Sequence, residues 1–253
     1  MKKTKEIKSE VPDKSKNTFE KAEKGMLYAK ITAKNIRKRN VFTKFLGLLV
    51  ILLMMFLSLV YGVVYIVSET GNFTISLEPN SNETKSIIIS NYKDFHETAL
   101  LLSADKLDNM DNISQSWLPD DIDEHEGPHN DKNSIGYTFF VKNVGTAPTK
   151  YEAIIEIKSV INQVDEAIRV MVYKNGVKTV YAKESKTTKE PEIGTTKFLS
   201  TRQVTNLLID DFKPEQIDKY TIVIWLEGDD PECKDDILGG VMKLKMTIHE
   251  LNG

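Results

Sequence analysis

The apolar and polar positions of this 253-residue chain follow three different periods in turn. From Thr18, apolar residues recur at steps of three and four (Phe19, Ala22, Met26, Ala29, Ala33, Ile36), which is one face of a helix. The other face carries Glu20, Lys21, Lys24, Lys34 and Lys38. This predicts a basic amphipathic helix that either lies on anionic lipid or stands in solvent and sets topology through its lysines. Residues 1–17 are Lys-rich and aperiodic, and disorder is expected there. Next, Phe45 to Ser68 reads FLGLLVILLMMFLSLVYGVVYIVS, without a charge, closed by Lys44 and Glu69. At about 1.5 Å per residue it is long enough for a bilayer core of about 30 Å.

Beyond Glu69 the period becomes two. Phe73 to Leu77 alternates apolar and polar, as a half-buried strand does. Ser86–Ser90 (SIIIS) and Thr98–Ser103 (TALLLS) read as short buried strands. Further strands are predicted at 135–142, 151–160, 168–173, 177–182, 207–212, 220–227 and 241–249. Between 168–173 and 177–182 stands Lys174-Asn175-Gly176, and Asn-Gly there predicts a hairpin with a type I′ turn. Asp105 to Asn133 is polar and too long for an ordinary connection, so it is a functional loop, a short helix-bearing insertion or disorder. Trp225 is expected in the core, and Tyr220 is either a tyrosine-corner residue or an ordinary strand aromatic. About ten strands with almost no helix make the fold class mainly β, an antiparallel β-sandwich behind one membrane-spanning helix.

Charge adds direction. Residues 1–44 carry fourteen basic and five acidic side chains, net +9; the sequence from Ser68 onward is net −12. Positive flanks remain cytoplasmic, so the expected order is a basic cytoplasmic arm (1–44), a transmembrane helix (45–68) and an extracellular β-sandwich (69–253) at the cell membrane. The apolar run exceeds a signal-peptide core, and Ile66 sits badly for cleavage after Ser68, so an uncleaved anchor is expected. Cys233 is the single cysteine, which excludes an internal disulfide framework. An acidic exported domain argues against nucleic acid as a partner.

Candidate chemistry is sparse. His125-Glu-Gly-Pro-His129 matches H-E-x-x-H, but that motif needs a helix to aim both imidazoles at zinc, and Gly127 and Pro128 oppose one. A solvated acidic loop is the default, with metal binding by His125 and His129 the sharper alternative. Glu227, Asp229, Asp230, Glu232, Asp235 and Asp236 form a second cluster directly after the Trp225 strand. Calcium takes six to eight oxygens, yet the spacing is not that of an EF-hand, and a turn with carboxylates in water is the plainer reading. No nucleophile elbow, phosphate loop or C-x-x-C occurs, so the sequence identifies neither catalytic residues nor a cofactor.

Phe140-Val-Lys-Asn-Val-Gly-Thr-Ala, the Asp165–Gly176 hairpin and Lys219–Cys233, ending W-L-E-G-D-D-P-E-C, together resemble exported β-sandwich proteins of Gram-positive bacteria related to TasA and camelysin. The resemblance spans roughly 135–250 and implies a jelly-roll-like or immunoglobulin-like sandwich at the cell surface. Camelysin-like members are classed as metallopeptidases; no zinc set here carries that over. The long cytoplasmic arm and apparently uncleaved anchor depart from TasA-like members. The expected function is therefore a non-catalytic, single-pass surface protein for adhesion, matrix attachment or partner assembly, with a protein or the cell wall as partner. The alternatives are an extracytoplasmic ligand sensor and a metallopeptidase; homo-oligomerisation is left open.

Overall fold

The computed structural model describes Lys21, Ala22, Lys24 and residues 43–61, 72–79 and 86–251. The chain divides into two compact units, Met1–Tyr65 and Ile66–Gly253. In the first, helix α1 (Thr43–Tyr61) is long and apolar enough to cross a membrane, and none of its apolar stretch is buried within the protein. Residues 62–68 of the expected span, and all of the expected amphipathic helix except the helical Lys21, Ala22 and Lys24, lie outside the described residues.

The second unit is a two-sheet β-sandwich. Its strands are β1 (Phe73–Glu78), β2 (Ile87–Ser90), β3 (Leu101–Ser103), β4 (Gly127–Pro128), β5 (Ser134–Asn143) and β6 (Thr149–Ile161). They continue with β7 (Ile168–Lys174), β8 (Val177–Ala182), β9 (Thr196–Lys197), β10 (Gln203–Phe212), β11 (Ile217–Leu226) and β12 (Val241–Leu251). One sheet runs β10-β6-β12-β1-β3, the other β2-β5-β11-β7-β8-β9, with β4 beside β5. Most pairs are antiparallel as expected, but β1 lies parallel to β12 (Phe73 opposite Leu244) and β9 parallel to β8. The first pairing joins the two ends of the domain's sequence, so no short turn constrains its direction.

Alternation makes the main core. Tyr151, Ala153, Ile155 and Ile157 of β6 and Leu244, Met246 and Ile248 of β12 face Phe139, Val141, Tyr220, Ile222 and Ile224 of the other sheet. The hairpin is as the sequence predicts: Asn175 (φ 51°) and Gly176 (φ 81°) take the positive φ values of a type I′ turn.

The middle of the second sheet is buried on both faces. Val223 and Trp225 of β11, Met171 of β7 and Val180 of β8 point away from the main core and form an outer cluster with Ile113 and Ile122. Those two come from the 105–133 segment, which is therefore an ordered cover rather than a disordered insertion. Its only helix among the described residues is a 3-10 turn at Gln115–Trp117. It is stitched to the end of β11: the Ile113 amide donates to the Leu226 carbonyl (2.9 Å) and the Gly228 amide to the Ile113 carbonyl (3.0 Å). Trp225 is core, as expected, but in this outer layer. Truncating a buried Trp costs about 3–5 kcal/mol. Trp225→Ala is expected to lower the stability of the sandwich by that amount in urea unfolding, and a loss below about 1 kcal/mol would mean that the cover packs only loosely.

Candidate functional site

Three polar constellations stand out. The first lies inside the sandwich. Asp218, wholly buried, accepts from the Tyr151 hydroxyl (2.5 Å) and the Asn175 amide (2.9 Å), with Lys174 at 3.3 Å. Tyr151 and Tyr220 share a further hydroxyl–hydroxyl bond of 2.8 Å. Of the two readings of Tyr220, the strand aromatic holds and the tyrosine corner does not: its hydroxyl meets a side chain of the facing sheet. Burial works against ionisation of Asp218, yet the Tyr151, Asn175 and Lys174 contacts together hold its pKa below the ordinary value. The same burial, with the neighbouring Asp218, pushes both tyrosines far up. Every strong group here is satisfied, so the network ties β6, the Asn175 turn and β11 together.

The second constellation is the 227–236 loop, and it gathers only part of its predicted carboxylates. Asp230 and Glu232 converge with Glu192, their ligand oxygens within 4.8 Å of one another. Glu192 comes from the separate loop between β8 and β9, a partner that no local spacing announces. Glu227 instead accepts from the Trp225 indole (3.0 Å) and the Gln115 amide (3.2 Å), clamping the cover segment. Asp229 is exposed, and Asp235 and Asp236 sit exposed on the 3-10 turn Asp235–Ile237.

Asp230 is fully buried and pairs with buried Arg169 at 2.5 Å. Its other oxygen accepts from the Glu232 amide at 2.7 Å. Burial and the Asp230 carboxylate raise the pKa of Glu232. Burial, Asp230 and Glu227 likewise raise the Cys233 thiol, which makes it a poor nucleophile at neutral pH. Glu192, Asp230 and Glu232 are the residues that would offer oxygen to a hard cation such as calcium, but Arg169 already supplies positive charge to the most buried of them. Breaking a buried pair from one side costs about 3–5 kcal/mol. Arg169→Met is expected to destabilise the sandwich by that amount, and Arg169→Met with Asp230→Leu to recover most of it; a double variant no more stable than the single one would refute the pairing.

The third is the His125–His129 pair. The structure does bring the rings together, tilted by 35° with centroids 5.1 Å apart, but without a helix: Gly127 and Pro128 form β4 against Thr138 and Tyr137. His129 Nδ1 bonds the Gly127 carbonyl (2.9 Å), and its buried Nε2 has no hydrogen-bond partner and lies over Gly136. His125 reaches only Asp121, at 3.8 Å. A two-imidazole zinc grip is therefore not assembled. Burial lowers the His129 pKa. The unfolded chain takes up a proton below about 6.5, the ordinary histidine value, while the folded chain resists until its own lower value. Stability contributed by neutral His129 is present above that pH and is lost as pH falls through this window. The urea midpoint is expected to drop from pH 7.5 to 5.5 more steeply than in His129→Gln; equal slopes would show that His129 is not the titrating group.

No family model matches the chain, and no curated protein does. Among solved structures, a crystal structure of β-glucosidase from Kluyveromyces marxianus in complex with glucose aligns with 70% of this chain and 17% of that one, at 10% identity and a TM-score of 0.23. The chain thus spans under a fifth of that enzyme's length, and a likeness at this score carries no argument about fold or activity.

Proposed function

We propose that this chain is a single-pass, membrane-anchored surface protein, non-catalytic, whose β-sandwich serves adhesion, matrix attachment or assembly with a partner outside the cell. The observation that carries this reading is the free edge of β10. Among the described residues this 10-residue strand pairs with β6 on one side and with no strand on the other. It carries Leu208, 53% exposed, between the partly buried Leu207 and Ile209. A long edge with exposed apolar side chains is a template for an incoming strand, and natural sheets blunt such edges with charged side chains, Pro or β-bulges when pairing is unwanted. β10 has no Lys or Pro; its charges, Asp210 and Asp211, and its register shifts lie toward its two ends, leaving residues 205–209 in regular pairing with β6. The apolar helix α1, the +9 arm before it and the acidic domain after it support an anchor with the N-terminus cytoplasmic. The pattern shared with TasA- and camelysin-related proteins is consistent with a surface location.

Leu208→Lys places a charge on that edge and is expected to weaken cell–cell or cell–matrix attachment about tenfold, equivalent to about 1.4 kcal/mol, without changing surface abundance. Unchanged attachment would remove β10 from the mechanism. The orientation is tested by the lone, partly exposed Cys233. A membrane-impermeant maleimide is expected to label it on intact cells, more slowly at pH 7 than an exposed unperturbed cysteine because its pKa is raised. Labelling only after permeabilisation would reverse the topology.

A further inference from the structure

One end of the sandwich is left open between the sheets. There a cavity of about 160 Å³ is floored by Ile135 and Ile224 of one sheet and Leu244 of the other, and walled by Val164 and Ile168. All five side chains are at least nine-tenths buried and belong to the main core. The lip is the turn Leu238-Gly239-Gly240. Leu238 is 70% exposed there, beside exposed Ile161 and Val241, which face one another across the β6–β12 ladder. Among the described residues the lining also carries the polar Asn72 and the charged Asp108, with which Lys106 pairs at 2.9 Å.

The backbone holds this space open. The Asn162 amide donates to the Leu238 carbonyl (2.9 Å), and the Gly240 amide to that of Ile237 (2.9 Å). A Cβ on Gly240 would stand 2.6 Å from Val164 Cβ and 2.7 Å from the Ile237 carbonyl, so a glycine is required for the lip to pass this close to the wall. The walls stand on the 3-10 turn Val164–Glu166 and the start of β7, and the lip is tied to the same turn region by these bonds. Asn72, Asp108 and the lip backbone bring polar groups to the lining, but the floor and walls are apolar side chains. An apolar space of about 150 Å³ accepts a molecule of benzene size, whereas a charged group against that floor would lose hydration without a partner there.

We infer that this end cavity is a binding site for a neutral, compact apolar group of the size of a phenyl ring or a branched four- to six-carbon chain, with Leu238 as the exposed part of its lip. The group comes either from a free small molecule or from a Leu, Ile or Phe side chain of a peptide. The site lies apart from the β10 edge and does not depend on the adhesion reading.

The test uses the full chain in lipid nanodiscs with methyl-labelled isoleucine and leucine. Toluene is titrated in one arm and N-acetyl-leucine amide in the other. Saturable shifts are expected at the Ile135, Ile168 and Ile224 methyls and not at Ile155, with loss of binding of at least tenfold in Val164→Phe, which fills the cavity. Ile168→Phe fills it from another wall and serves if the first variant does not fold. Saturation by toluene alone assigns the site to free small molecules; saturation by both probes extends it to peptide side chains. Absent or non-saturable shifts, or shifts that persist in a folded filling variant, would overturn the site and leave only a packing gap.

Discussion

The structure turns on one strand having two buried faces. β11 lies between β5 and β7, and its successive side chains go alternately to two apolar layers. Tyr220, Ile222 and Ile224 enter the core between the sheets, while Val223 and Trp225 enter the outer cluster under the 105–133 segment. A strand alternates sides by geometry, so an apolar run such as TIVIW forces a second cover onto the sheet. That cover is what converts a long polar connection into part of the fold. Glu227, just beyond the strand, fixes it by accepting from both the Trp225 indole and the Gln115 amide.

Charged groups are buried at both ends of β11, each with a partner that its position demands. At the start, Asp218 draws hydrogen bonds from Tyr151 across the core and from Asn175 in the neighbouring turn. Past the end, Asp230 meets Arg169, which leaves β7 on its outward side. A buried carboxylate without such company would take up a proton or unfold its surroundings. These pairs specify register as much as they stabilise: a slip of one residue between β11 and β7 would carry Arg169 to the opposite face.

Much of this was legible because it is local. The period-two runs, the Asn175-Gly176 turn and the burial of Trp225 all follow from residues within a few positions of one another. What escaped was set by distant partners. The parallel β1–β12 pair has no turn to announce it. Tyr220 has the spacing of a corner tyrosine, yet its hydroxyl bonds Tyr151, and nothing near either residue encodes that meeting. Glu192 joins Asp230 and Glu232 only because the β8–β9 loop folds over the 227–236 turn. In the other direction, His125 and His129 do meet, but through a β-bridge that leaves one nitrogen bonded to backbone and the other buried, so a motif match gave proximity without the motif's zinc geometry. The end cavity had no sequence signal, since its lining among the described residues is drawn from six separate stretches of chain.

Native-state hydrogen exchange tests the central claim, that the 105–133 cover is part of the sandwich rather than an appended loop. The account predicts that the amides of Ile113 and Gly228, which bridge cover and strand, exchange only through the same global opening as the central amides of β11, with the same free energy and denaturant dependence. Exchange of those two amides through a low-energy local opening, while β11 remains protected, would contradict it.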